Sequence, residues 1–91
     1  MTSTERSRLV RKRNWQNIFS MFGGRKCMIC GIESDMPIYE LHHHDQKGKE
    51  THIGKIIHHS WVKVEKEARK CVLVCANCHR IVHHLERERK K

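Results

Sequence analysis

A small α+β domain is what this chain of 91 residues predicts. Two short apolar runs, Pro37-Ile38-Tyr39-Glu40-Leu41 and Cys71-Val72-Leu73-Val74, read as strands. Stretches of i, i+3, i+4 apolar spacing before, between and after those runs read as helices. Two Cys-x-x-Cys pairs, Cys27/Cys30 and Cys75/Cys78, then supply four thiolates on two tight turns, a set that closes tetrahedrally around one structural zinc ion. A chain this short buries too little apolar surface to be comfortable without a staple, and zinc is the expected one.

The first helix is expected over residues 4 to 22, with Thr4 or Ser3 as its cap and Gly23-Gly24 as its stop. Within it Trp15, Ile18, Phe19 and Phe22 make the packing stripe. Arg6, Arg8, Arg11, Lys12 and Arg13 occupy the other faces, and they suit DNA contact and plain solubility equally well. Residues 1 to 24 therefore read as a basic helical extension, and residues 25 to 91 as the main domain.

Arg25 to Gly31 forms a metal knuckle, and the Pro37–Leu41 strand delivers the cluster His42-His43-His44-Asp45 at its end. Gln46-Lys47-Gly48-Lys49 is a polar, basic turn. Ile53, Ile56, Ile57, Trp61, Val64 and Ala68 keep helical spacing, which puts a helical insertion between the two strands. Alternatively, Ser60 caps a second helix after a break near His58-His59; Trp61 reads as core. Cys71, the odd cysteine, reads as a small buried side chain. The last helix, from about Asn77 to Arg89, carries His79 and His83 inward and Arg80, Arg87, Arg89 and Lys90 outward, with a fraying tail.

Hydrophobic residues make up 37% of the chain and aromatics 5%, against a net charge of +9 and a pI of about 9.7. Four zinc-bound thiolates and their ion remove about two of those positive charges and leave the chain clearly basic. Such a balance implies a polyanionic partner, with DNA the leading candidate and its backbone the main point of contact. No stretch has the length of a membrane span, and the basic N-terminus lacks the apolar core of a signal peptide. An intracellular, reducing compartment is therefore expected, and there the paired cysteines favour zinc over disulfides.

The histidines suggest a second, open metal site. Positions i and i+4 of a helix lie on one face, so His79 and His83 can grip a single ion together. His42-His43-His44 can complete it.

Three motifs, Cys27-x-x-Cys30, then Leu41-His42-His43-x-Asp45, then Cys71-Val-Leu-Val-Cys75-Ala-Asn-Cys78-His79-Arg80-x-x-His83, resemble the HNH (His-Me finger) endonucleases. These are small ββα-metal nucleases, and the similarity is to their zinc-stapled branch, common in phages and mobile elements. It covers about residues 25 to 84 and leaves the N-terminal helix outside. The resemblance implies a DNA phosphodiesterase in the cytoplasm of a bacterial host. It implies His42, His79 and His83 as ligands of a catalytic divalent metal and His43 as the general base, with Cys27, Cys30, Cys75 and Cys78 holding structural zinc. The chemistry has a physical basis: an imidazole is largely neutral near pH 7 and accepts a proton from water, and a divalent ion offsets charge on the phosphate and the departing oxygen. Imidazole ligands favour Mn²⁺, Ni²⁺ or Zn²⁺ over Mg²⁺, although phosphate and water can complete a Mg²⁺ shell.

Two points qualify the match. Neighbours in a regular strand face opposite sides, so His42 and His43 share one site only where the chain bends or the strand ends, and His44 stays a rival for the base. The family's buttressing asparagine falls on Lys70, which cannot accept a hydrogen bond, so His52 or a backbone carbonyl is expected to replace it. Asn77 shapes the second knuckle, and Asp45 stabilises its own turn. His52, His58, His59 and His84 read as exposed or packing residues. Two other readings compete with the endonuclease. One is a non-catalytic zinc-ribbon DNA-binding protein, and the other a small zinc adaptor for a larger phage or replication protein.

Overall fold

The computed structural model describes residues 1–43 and 52–89. Its elements are α1 (Ser3–Met21), β1 (Tyr39–His43), α2 (Ile53–Ile56), α3 (Trp61–Ala68), β2 (Cys71–Cys75) and α4 (Ala76–Arg89). His44, Asp45, the turn expected at Gln46–Lys49 and Lys90 lie outside the described residues.

Thr2, not Ser3 or Thr4, caps α1: its backbone is extended and its side chain accepts a 3.1 Å hydrogen bond from the Glu5 amide. At the other end the Gly24 amide reaches back to the Phe19 carbonyl at 2.8 Å. Gly23 and Gly24 reverse the chain there with φ of 79° and 132°, a region that a side chain would strain.

β1 and β2 pair antiparallel from Tyr39↔Cys75 to His43↔Cys71. The strand expected to stop at Leu41 thus continues through both histidines, because Cys71 and Val72 remain available to pair with them. Leu41, Leu73 and Val74 of this hairpin join Ile18 of α1, the α2 isoleucines, and Val64 and Ala68 of α3 in one hydrophobic cluster. Trp61 packs against the same cluster.

The alternative with a break after α2 is the one present. The His59 amide bonds the Ile56 carbonyl at 2.8 Å, and Ser60 opens α3 with extended backbone but no side-chain cap. This break is held by a residue that the apolar stripe does not include. Asn14 is fully buried, and its Nδ2 donates to the Ile57 carbonyl at 2.7 Å and the His59 carbonyl at 2.9 Å. Both acceptors lie just past the end of a short helix, where carbonyls lack intrahelical partners. One amide group therefore satisfies two of them and pins α1 to the α2–α3 turn. Among the described residues, no helix is long and apolar enough to cross a membrane.

Asn14→Ala removes both bonds and strands two carbonyls, at a net cost of about 1 kcal/mol per bond and more for any acceptor left dry. We expect about 2 kcal/mol or more of lost stability in urea unfolding of the zinc-loaded protein. A loss below about 0.5 kcal/mol would show that the turn does not depend on Asn14.

Candidate metal centres

The first knuckle is a tight turn closed by the Gly31 amide on the Cys27 carbonyl at 3.0 Å, with Gly31 at a φ of 78°. Its chain ends are joined by the Lys26↔Glu33 bridge and by a 3.0 Å bond from the Cys27 amide to the Ile32 carbonyl. Tyr39 of β1 braces the turn: its hydroxyl donates to the Arg25 carbonyl at 2.7 Å and accepts from the Ser34 amide at 2.9 Å. The Met28 amide bonds the Leu73 carbonyl of β2 at 2.9 Å. The knuckle is thereby pressed against the β2–α4 junction, where Cys75 ends the strand and Cys78 lies in the first turn of the helix.

Cys27, Cys30, Cys75 and Cys78 consequently bring their sulfurs within 4.8 Å of one another. The Cys30 and Cys75 sulfurs are 3.8 Å apart. A tetrahedral zinc with arms of about 2.3 Å has sulfur–sulfur edges of about 3.8 Å, so the donor set fits a structural zinc. Backbone amides point at the sulfurs as they would at thiolates: Ile29 and Cys30 at Cys27 (3.4 Å each) and Cys78 at Cys75 (3.5 Å). Burial acts to raise the Cys27 thiol, but backbone hydrogen bonds, that of Cys30 foremost, hold it down at about 6. Burial and then the neighbouring sulfurs push Cys78 up to about 12. Unaided, the cluster ionises one sulfur at the expense of another, and a divalent cation relieves that conflict. None of the five cysteines is in a disulfide, and Cys71 is buried with its sulfhydryl donating to the Glu67 carbonyl at 3.4 Å.

A second cluster lies where β1 meets α4. His42, His79 and His83 each place one ring nitrogen within 4.8 Å of the others, and the Nε2 atoms of His79 and His83 are 2.9 Å apart. The outer nitrogens of the two helical histidines face carboxylates. His79 Nδ1 lies 2.7 Å from Glu40 Oε1, and His83 Nδ1 lies 3.7 Å from Glu86 Oε2. The Glu40 carboxylate fixes the His79 tautomer and leaves its Nε2 as the lone-pair nitrogen facing inward, while Glu86 lies between His83 and His42, its Oε1 3.2 Å from His42 Nε2. Burial pushes the His42 imidazole below its ordinary value, against the pull of Glu86 and with the help of His79 and His83. The neutral ring is the ligand form, and its buried Nδ1 has no hydrogen-bond partner. The chemistry of this donor set suits a divalent ion as well.

His43 is not in that cluster. β1 stays regular to its end, so the two neighbouring rings take opposite faces of the hairpin. His43 Nε2 meets Glu67 Oε1 at 2.8 Å, with both side chains buried at 4% and 3% exposure. Among the described residues the partner of His43 is Glu67, in place of the His52 or backbone carbonyl expected. α3 packs on that face of the hairpin and turns Glu67 inward between Val64 and Ala68. Lys70 places Nζ 3.3 Å from Glu67 Oε2 and so contributes indirectly. His52 serves elsewhere, accepting the Gly54 amide on Nδ1 at 3.0 Å as the cap of α2. Asn77, His58, His59 and His84 are exposed, as are Arg80, Arg87 and Arg89. Sequence reasoning missed Glu40, Glu67 and Glu86 because an acidic residue in a polar stretch reads as a solvated face. The one available signal was Glu67, which sits on the apolar side of its helix.

Cys75→Ser should lose zinc and its cooperative melt together, whereas Cys71→Ala should keep one equivalent of zinc. Metal analysis alongside circular dichroism checks both, and a Cys75→Ser protein that keeps the parent's zinc content and its cooperative melt would remove that cysteine from the set. Comparison of the chain with known protein families, curated proteins and solved structures gave no match, so any functional assignment rests on this geometry.

Proposed function

We propose that the protein is a metal-dependent endonuclease of the ββα-metal (HNH) type that hydrolyses phosphodiester bonds in DNA. The observation that carries this reading is the pairing of a closed four-sulfur cluster with an open three-histidine cluster one residue away along α4. A binding module needs only the first. His42, His79 and His83 would hold the divalent ion, which when bound supplies positive charge to the phosphate and the departing oxygen. Glu40 keeps the His79 imidazole in the ligating tautomer.

His43 is the general base, with Glu67 as its orienting carboxylate. An ionised carboxylate only accepts, so His43 donates Nε2–H to it and carries its lone pair on Nδ1. After proton uptake the same carboxylate stabilises the imidazolium, the role that the acidic member plays in a hydrolase triad. His42 and His43 lie at the last two positions of β1, so the proposed ligand and the proposed base share one end of the strand. The exposed Arg80, Arg87 and Arg89 of α4 supply positive charge for its backbone.

One observation favours the non-catalytic zinc DNA-binding reading, namely that His43 is 4% exposed and turned away from the histidine cluster. Incubating the zinc-loaded protein with supercoiled, linear and single-stranded DNA, with Mn²⁺, Ni²⁺, Mg²⁺ or additional Zn²⁺, separates the two. The endonuclease nicks or linearises DNA in a metal-dependent way. His43→Ala lowers that rate by about 10²–10⁴-fold and leaves metal and DNA affinity unchanged. Glu67→Gln lowers it about tenfold or more, while His79→Ala weakens metal binding in calorimetry. A parent that cleaves none of these substrates with any of the metals is a binding module.

A further inference from the structure

α1 extends well beyond its packing. Asn14, Trp15, Ile18 and Phe19 anchor its second half, whereas Ser3 to Leu9 and Arg11 to Arg13 are exposed. The helix is nevertheless complete to its Thr2 cap. At about 1.5 Å per residue, Ser3 to Arg13 makes an arm of about 16 Å, held at its root by the two Asn14 bonds. A free helix of that length is marginal in water, so this one gains from a second surface to lie on.

The charge pattern says which surface. Arg6, Arg8, Arg11, Lys12 and Arg13 stand in the arm against one acid, Glu5. At about 100° per residue, Arg6 and Arg13 share one face, while Arg8, Arg11 and Lys12 share the roughly opposite one. A bilayer needs an apolar face, and Leu9 and Val10 alone do not make one. An acidic protein surface would engage one side of the helix. The major groove of DNA admits a helix and presents phosphates on both of its flanks.

Two cavities lie beside α1. One of about 200 Å³ is lined by Glu40, His79, Trp15 and Gly54, and the other of about 310 Å³ by Gly54, Ile57, Ser7 and Arg11. Gly54 lines both, so the concave surface beside His79 and that beside the arm meet the same residue of α2.

We propose that the arm enters the major groove of duplex DNA and that the backbone passes Gly54 toward the histidine cluster. This rests on the nucleic-acid part of the function proposed above and not on cleavage. The test is anisotropy of a labelled duplex of about 30 base pairs across a salt series, using zinc-loaded protein without other added metal. Arg6→Gln with Arg13→Gln, and separately Arg8→Gln with Lys12→Gln, should each lower the log–log salt slope by about 1.8 and weaken binding about tenfold or more. Zinc content and helicity should stay at the parent's values.

Parent-like binding by both double variants would make the arm a solvated face and overturn the proposal. An effect confined to one pair would mean one-sided docking and exclude the groove. Equal affinity for single strands, or a preference for phosphatidylserine vesicles, would also overturn it. A parent that binds through the arm but never cleaves refutes the endonuclease and leaves this inference standing. One that cleaves, with both variants binding as it does, refutes this inference alone.

Discussion

Four sulfurs drawn from opposite ends of the domain are the constraint on which the other distances depend. Cys27 and Cys30 sit on a turn with no regular structure of its own, and Cys75 and Cys78 span the joint between β2 and α4. Holding them together sets where the knuckle rests on β2 and the angle at which α4 leaves the sheet. His79 follows Cys78 directly and His83 is one helical turn further, so the histidine cluster inherits its geometry from the sulfur cluster. A domain of this size has too little core to hold that joint by apolar contact alone.

Glutamates finish what the metal ligands begin. Glu40, Glu67 and Glu86 come from three elements, β1, α3 and α4, and each faces a histidine. Glu67 differs from the others because its pair with His43 is almost wholly buried. A buried carboxylate is costly unless it is hydrogen-bonded and offset in charge, and His43 and Lys70 meet that need. Burial then prevents either ring or carboxylate from rotating. Glu67 and Lys70, three residues apart, act together: the glutamate meets the imidazole and the lysine balances its charge.

A similar economy explains Asn14. Placing a polar residue on the packing face of α1 costs core area, but the α2–α3 turn leaves carbonyls that no backbone amide can reach. One side-chain amide satisfies two of them and fixes the direction of the basic arm.

The order of elements, the four cysteines as one set and the His79/His83 pair were all legible in the residues, since short fixed spacings decide which side chains share a turn or a face whatever the surroundings. Whether the insertion was one helix or two broken at His58-His59 stayed open in the sequence, and the packing of Asn14 against that turn decided it. His42 and His43 show where that legibility ends. Alternation along a strand says that the two rings part, but not which of them faces α4, because that depends on the sheet's register and on which helix covers each face. The glutamates lay further out of reach: Glu40 meets His79 across 39 positions and Glu67 meets His43 across 24. Side-chain pairs so distant are decided by how elements pack, and packing is a property of the assembled chain.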